Sequence, residues 1–236
     1  MADKQVIIRD LGNMPYSYAW KLQEQLFKGI TDIKLKNRGP VVEAEIPPNY
    51  FLLVEHPPVI TLGRNAEEKN MLFSEAFLQE KGVEVFHINR GGDITFHGPG
   101  QLVGYPILDL DQFGTDIGKY LRNVEEVIIR VCADYGIVAG RIAGVTGVWL
   151  DGGTAQARKI CAIGIRASRW ITMHGFAFNV NTDLNYFNYI VPCGITDKGV
   201  TSLQKELGRE VDMEKVKEKV LLYFREVFNC NIRFVH

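Results

Sequence analysis

Apolar positions along this 236-residue chain follow two rhythms. Alternating or unbroken apolar runs predict strands at Gln5–Arg9, Phe51–Glu55, Val59–Leu62, Val83–Asn89, Leu102–Asp109, Gly147–Leu150, Lys159–Arg166 and Thr172–Val180. In the last of these, Phe176, Phe178 and Val180 alternate to one side together with His174. Helical spacing takes over elsewhere. Pro15 opens a helix to about Lys28, with Tyr18, Leu22 and Leu26 four residues apart. Glu75–Lys81 stops at Gly82, and Ile117–Tyr135 puts Val124, Ile128 and Val131 on one face before Gly136. A short helix near Thr201–Leu207 precedes a last one, capped by Asp212 and running to about Phe228. Two prolines in His56-Pro57-Pro58 fix a rigid corner between strands. Asn37–Asn49 reads as a loop or mobile hairpin, because it holds Arg38-Gly39-Pro40 and Pro47-Pro48. Strands outnumber helices and no repeat or linker divides the sequence. The pattern predicts one α+β domain with a mixed sheet over residues 1–236.

Composition adds little to this picture: 46% hydrophobic and 23% charged residues are ordinary for a globular chain. A net charge of -1 argues against a surface broadly committed to nucleic acid, while leaving room for a local basic patch. No apolar run approaches membrane-span length, and Met1–Gln5 has neither a signal-peptide core nor a transit-peptide look. Cys132, Cys161, Cys193 and Cys230 are far apart and show no metal-ligand spacing. The expectation is a reduced, cytoplasmic chain without a metal, cofactor, nucleic-acid partner or membrane.

Candidate chemistry concentrates in Arg90-Gly91-Gly92-Asp93-Ile94-Thr95-Phe96-His97-Gly98-Pro99-Gly100-Gln101, where four glycines let backbone approach a ligand among a guanidinium, a carboxylate, an imidazole and a carboxamide. It reads as a binding loop. Cys193 sits between a proline and a glycine, which is turn chemistry, whereas Cys132 and Cys230 suit buried packing. Lys159 opens an otherwise apolar strand and would place an ammonium where it favours a thiolate. A thiol with pKa ~8.5 is about 3% ionised at neutral pH, and lowering it by roughly 1.5 units ionises about half. Cys161 is a rival, since residues two apart on a strand face the same way and it would lie beside Lys159, but its apolar neighbours Ile160 and Ala162 favour packing. His97 and His174 are candidate bases. Spacing alone leaves these choices open.

Six ordered motifs narrow them: His56–Gly63, Arg90–Gln101, Gly147–Trp149, Lys159–Gly164, His174–Val180 and Pro192–Ile195. Over nearly its whole length the chain resembles the octanoyltransferases of lipoate biosynthesis, relatives of the biotin and lipoate protein ligases. The resemblance implies an α+β single domain, a mixed and mostly antiparallel β-sheet flanked by helices. It also implies transfer of an octanoyl group from octanoyl-acyl carrier protein to a lysine of lipoyl domains, in 2-oxoacid dehydrogenases and the glycine cleavage H protein. In the family's pattern Cys193 carries the acyl-thioester and Lys159 lowers its pKa and relays protons. Substrate-binding positions map to Arg90, Gly91, Gly92, Asp93, Ile94, Thr95, Phe96 and His97, to Ala162, Ile163 and Gly164, and to Gly175, Phe176 and Ala177. Phe96 stands where a tyrosine is common, and Cys161 replaces a small residue. Arg158, Lys159, Arg166 and Arg169 form a local basic group, with Arg166 or Arg169 expected to steer an acidic carrier. An octanoyl amidotransferase of the same fold, moving the chain between lipoyl domains, would also use a cysteine, and an ATP-dependent lipoate or biotin ligase would share Lys159 but not need Cys193. A non-catalytic acyl- or lipoyl-domain-binding module would show no turnover.

Overall fold

The computed structural model describes residues 4–40, 43–191 and 198–235. Strand β1 (Gln5–Asn13) is followed by α1 (Tyr16–Lys36), β2 (Asn49–Glu55) and β3 (Val59–Leu62). Then come α2 (Glu75–Glu80), β4 (Glu84–His87), β5 (Ile94–His97), β6 (Gln101–Ile107) and α3 (Ile117–Asp134). The rest runs β7 (Ala139–Ile142), β8 (Val145–Leu150), β9 (Arg158–Ser168), β10 (Ile171–Asn179), β11 (Gly199–Val200), α4 (Leu203–Leu207), α5 (Met213–Phe228) and β12 (Asn231–Phe234).

Two sheets form where the sequence pattern predicts one. The large sheet has the order β12-β1-β2-β6-β10-β9-β8-β7, with β11 added beside β9, and the small one is β4-β3-β5. The His56-Pro57-Pro58 corner is the dividing point, because β2 before it joins the large sheet and β3 after it joins the small one. In the large sheet β2, β6, β10, β9, β8 and β7 pair antiparallel in succession, while β1 pairs parallel with both β2 and β12. The architecture is the α+β class expected, mixed and mostly antiparallel.

Burial on both faces explains the unbroken apolar runs. In β2, Phe51 and Leu53 join the core under α3 and α5, while Leu52 and Val54 join the core under α1. Phe51 and Phe228 both stack on Phe224, each with ring centroids 4.4 Å apart. The face of α1 differs from the predicted one. Tyr18 is 68% exposed, whereas Tyr16, Ala19, Gln23 and Ile30 are buried, so the four-residue spacing from Tyr18 marks the flank of the helix. That helix also runs two turns past Lys28 to Lys36. The Asp212 cap stands, its carboxylate accepting from the backbone N–H groups of Glu214 and Lys215. Three short strands, β7, β11 and β12, are absent from the sequence pattern, and the stretch 90–101 contains β5 and the first residue of β6.

Candidate active site

Glycines bring three backbones together at the centre of the large sheet. Across β9 and β10, Gly164 pairs with Gly175, Ile163 with Phe176 and Ala162 with Ala177. The loop before β5 docks on this floor: Gly91 donates its N–H to the Ile165 carbonyl at 2.8 Å. A Cβ on Gly164 would fall 2.8 Å from the Gly91 oxygen, and one on Gly175 only 2.1 Å from the Gly104 oxygen. Neither position admits another residue without displacing backbone. Between loop and floor lies a cavity of about 730 Å³, within the usual size range for small-molecule sites. Tyr16, Tyr105 and Leu121 contribute walls, as do Gly144, Val145 and Thr146 at the β7–β8 turn.

Arg90 acts first on its own loop. Its guanidinium donates to the Thr61 carbonyl (2.8 Å) and hydroxyl (3.0 Å) and to the Gly91 carbonyl (3.1 Å), stapling the glycine stretch to β3. Asp93 is likewise engaged, accepting from the Asn70 carboxamide at 2.6 Å and from the Ile94 N–H at 2.7 Å.

Hydrogen bonds fix the state of the histidines. The Gln101 carboxamide nitrogen donates to the Phe96 carbonyl and the Asn179 oxygen, so its oxygen must accept from His97 Nδ1, 2.8 Å away. His97 is therefore the Nδ1-protonated tautomer, with an acceptor Nε2 that has no hydrogen bond among the described residues. Burial, helped by His56 and Arg90, lowers its pKa from 6.5 to about 3. His56 donates from Nδ1 to the Met14 carbonyl and accepts the Tyr105 hydroxyl at Nε2, and burial holds it at about 4. His174 has a left-handed backbone (φ 62°), bonds Asn89 through Nε2, and is held at about 3 by burial and by Arg90.

Lys159 enters the cavity from the far wall. It is only 7% exposed, and its ammonium lies 4.6 Å from the centre of the Trp149 ring. Here β9 is flanked by β8 on one side and β11 on the other. The Lys159 carbonyl accepts the Thr201 N–H (3.0 Å), and the Thr201 carbonyl accepts from Asn179 (2.9 Å), which links this strand to Gln101 and His97. Cys161 packs in the core, as its apolar neighbours Ile160 and Ala162 predict, and does not stand as a rival beside Lys159 on the cavity wall. The register shifts between Val148 and Trp149, which sit opposite Cys161 and Lys159, so strict alternation is lost. Lys159 turns into the cavity while Ile160 and Cys161 both enter the core, where burial drives the Cys161 thiol well above its ordinary range.

Most of the predicted binding residues converge on this cavity: Arg90 to Thr95, His97, Lys159, Ala162 to Gly164 and Gly175 to Ala177 all line it. Phe96 does not. Alternation along β5 points its ring the other way, into the core of the small sheet, where it stacks on Tyr186 at 4.7 Å. Cys193 lies outside the described residues. Within the basic group, Arg158 is taken up by both Glu206 oxygens and by Asp151, while Arg169 is exposed at the β9–β10 turn. Sequence reasoning missed Tyr16, because its helical face was placed from Tyr18, and Tyr105, whose signal was a tyrosine within an apolar run. No group of three or more His, Cys, Asp or Glu side chains gathers to hold a metal among the described residues. No helix there is long and apolar enough to cross a membrane.

Comparison with known proteins agrees with this geometry. Residues 15–225 match the family model described as the lipoyl protein ligase A/B catalytic domain, and the chain belongs to that family. An octanoyltransferase of Flavobacterium psychrophilum is 56% identical over 231 residues, covering 98% of this chain and 99% of that one. One from Christiangramia forsetii is 55% identical over 234 residues, with coverage of 98% and 99%. Within the family, the activity of this chain is acyl transfer, the chemistry of an octanoyltransferase. The bipartite lipoate protein ligase of Thermoplasma acidophilum has a TM-score of 0.68 over all of this chain and 88% of that one. Its 13% identity makes this a likeness of fold.

Proposed function

We propose that the chain transfers an octanoyl group from octanoyl-acyl carrier protein to a lysine of lipoyl domains, through an acyl-thioester on Cys193. The acceptors are the lipoyl domains of 2-oxoacid dehydrogenases and the glycine cleavage H protein. The observation that carries this reading is the buried Lys159 ammonium on the wall of a cavity floored by Ala162–Gly164 and Gly175–Ala177. In the first step the Cys193 thiolate attacks the donor thioester carbonyl. The carbon–sulfur bond to the carrier breaks, and the carrier sulfur leaves as a thiol by taking a proton from the Lys159 ammonium. In the second, the acceptor amine attacks the enzyme thioester, loses a proton, and expels the Cys193 thiolate as the amide forms. As an ammonium Lys159 favours the Cys193 thiolate, and once neutral after the first step it takes up the proton that the attacking amine loses. Exchange of one thioester for another is close to balanced, and formation of the amide drives the reaction forward without ATP. The acyl chain would lie between the glycine stretch and the strand bearing Phe176.

Incubation with octanoyl-carrier protein followed by intact-mass measurement tests the proposal. The wild-type enzyme should gain one octanoyl group at Cys193 and lose it when a lipoyl domain is added. Cys193→Ser should fold normally and abolish transfer. An adduct on Cys161, or an activity that requires ATP and survives Cys193→Ser, would overturn it.

A further inference from the structure

Glu125 is a carboxylate with no exposed surface, on the α3 face that packs toward β8. A buried charge persists only when it is paired and hydrogen-bonded, and Glu125 has two hydrogen-bond donors and a second arginine as ion-pair partner. One oxygen accepts the Gly147 N–H at 3.0 Å, and the other accepts from Arg141 Nε at 3.0 Å and forms an ion pair with Arg122 at 2.8 Å. Arg141 belongs to β7 and Gly147 to β8, so a single carboxylate holds both limbs of one hairpin. The same hairpin supplies Gly144 from its turn and Val145 and Thr146 from the start of β8 to the cavity wall.

Gly147 carries this constraint onward. Its φ of 122° is open to glycine alone, and a Cβ there would fall 2.8 Å from the Cys161 carbonyl and 3.5 Å from Lys159 Cε. Two residues further, the Trp149 ring lies beneath the Lys159 ammonium. Displacement of β8 would therefore move two of the surfaces beside the lysine, Gly147 and the Trp149 ring.

We propose that Glu125 is a positioning residue for acyl transfer: by clamping the β7–β8 hairpin at Arg141 and Gly147, it sets where the Lys159 ammonium stands in the cavity. The inference rests on the Lys159–Cys193 reading above. It extends that reading to a residue that touches neither the cavity nor the acyl group and acts only through its neighbours.

The test is the pH dependence of Cys193 alkylation by iodoacetamide, read by mass spectrometry, beside steady-state octanoyl transfer. Wild type is compared with Lys159→Ala, Glu125→Gln and Arg141→Gln. Glu125→Gln puts an amide where the arginines expect a charge. It should raise the alkylation midpoint by about half a pH unit or more and lower kcat about tenfold, with a much smaller change in KM. Arg141→Gln, at a half-exposed position, should shift both in the same direction by less. A residue that merely stabilised the fold would lower the melting temperature and leave the midpoint in place. A wild-type midpoint and kcat in folded Glu125→Gln overturn the inference. If that variant does not fold, the same result in Arg141→Gln overturns it. Lys159→Ala separates the two claims: an unmoved midpoint there refutes the Lys159–Cys193 reading itself, whereas a shift seen only in Lys159→Ala refutes the role of Glu125 alone.

Discussion

At neutral pH the His97 ring carries a single proton, on Nδ1, and that proton is already given to Gln101. A pKa of about 3 makes Nε2 a weak base and a serviceable hydrogen-bond acceptor. His97→Ala should therefore lower turnover about tenfold or more while leaving Cys193 able to form its acyl-enzyme. Rapid-quench mass measurement checks this, and complete loss of acylation would make the imidazole part of the first step. At this scale the sequence was informative about which residues meet and less so about what they do. Lys159 and the glycine stretch reach one cavity as their motifs implied. The engagement of Arg90 with Thr61 was hidden, because β3 lies 29 residues upstream of the guanidinium it receives. The packing of Cys161 was legible from its apolar neighbours, but the register shift beside it was not, since it leaves no mark in apolar periodicity.

The pairing of β6 with β10 shows how one element makes room for the next. Gly104 lies opposite Phe176, and a Cβ there would fall 2.3 Å from the Phe176 ring and 2.9 Å from Phe51. Gly104→Ala should cost about 2 kcal/mol or more by overpacking and tilt Phe176 within the cavity. Gly140→Ala, where nothing lies within 4 Å of the new carbon, should be nearly neutral. Urea midpoints of the two variants make the comparison, and equal midpoints would count against the packing argument. Long elements with strong periodicity, such as α3 and α5, are legible in the sequence because one face of each is apolar. The strands β7, β11 and β12 are not, being four residues or fewer and shaped by the neighbours they pair with. The early end expected for α1 has a similar cause. Past Lys28 its buried positions are Ile30 and Thr31, a pair too mixed in character to continue the apolar stripe.

Across the whole molecule, burial of three neutral imidazoles makes stability depend on pH. His56, His97 and His174 are held at about 4, 3 and 3 against an ordinary 6.5. Below 6.5 the unfolded chain binds protons that the native state refuses, so stability is full above that pH and falls as pH drops towards 4. Each imidazole contributes up to ~1.4 kcal/mol per pH unit. Urea unfolding between about pH 6.5 and about pH 5, above the carboxylate range, should show a declining midpoint, and His56→Gln should flatten the slope by about one proton. A flat wild-type profile would show that these rings are not buried neutral. The family was legible from six motifs in order, and three of them, Arg90–Gln101, Lys159–Gly164 and His174–Val180, supply residues to the cavity wall. The two-sheet layout was not, since it depends on which partner each strand finds. The parallel pairing of β1 with β12 has a consequence during synthesis. Gln5 finds its partner only when Asn231 has been made, which at ~5–20 residues per second is on the order of ten to forty-five seconds later. Until then β1, supported by β2 on one side, presents an open edge to other nascent chains. Arg9 and Asp10 on that strand place charge along the edge during the wait.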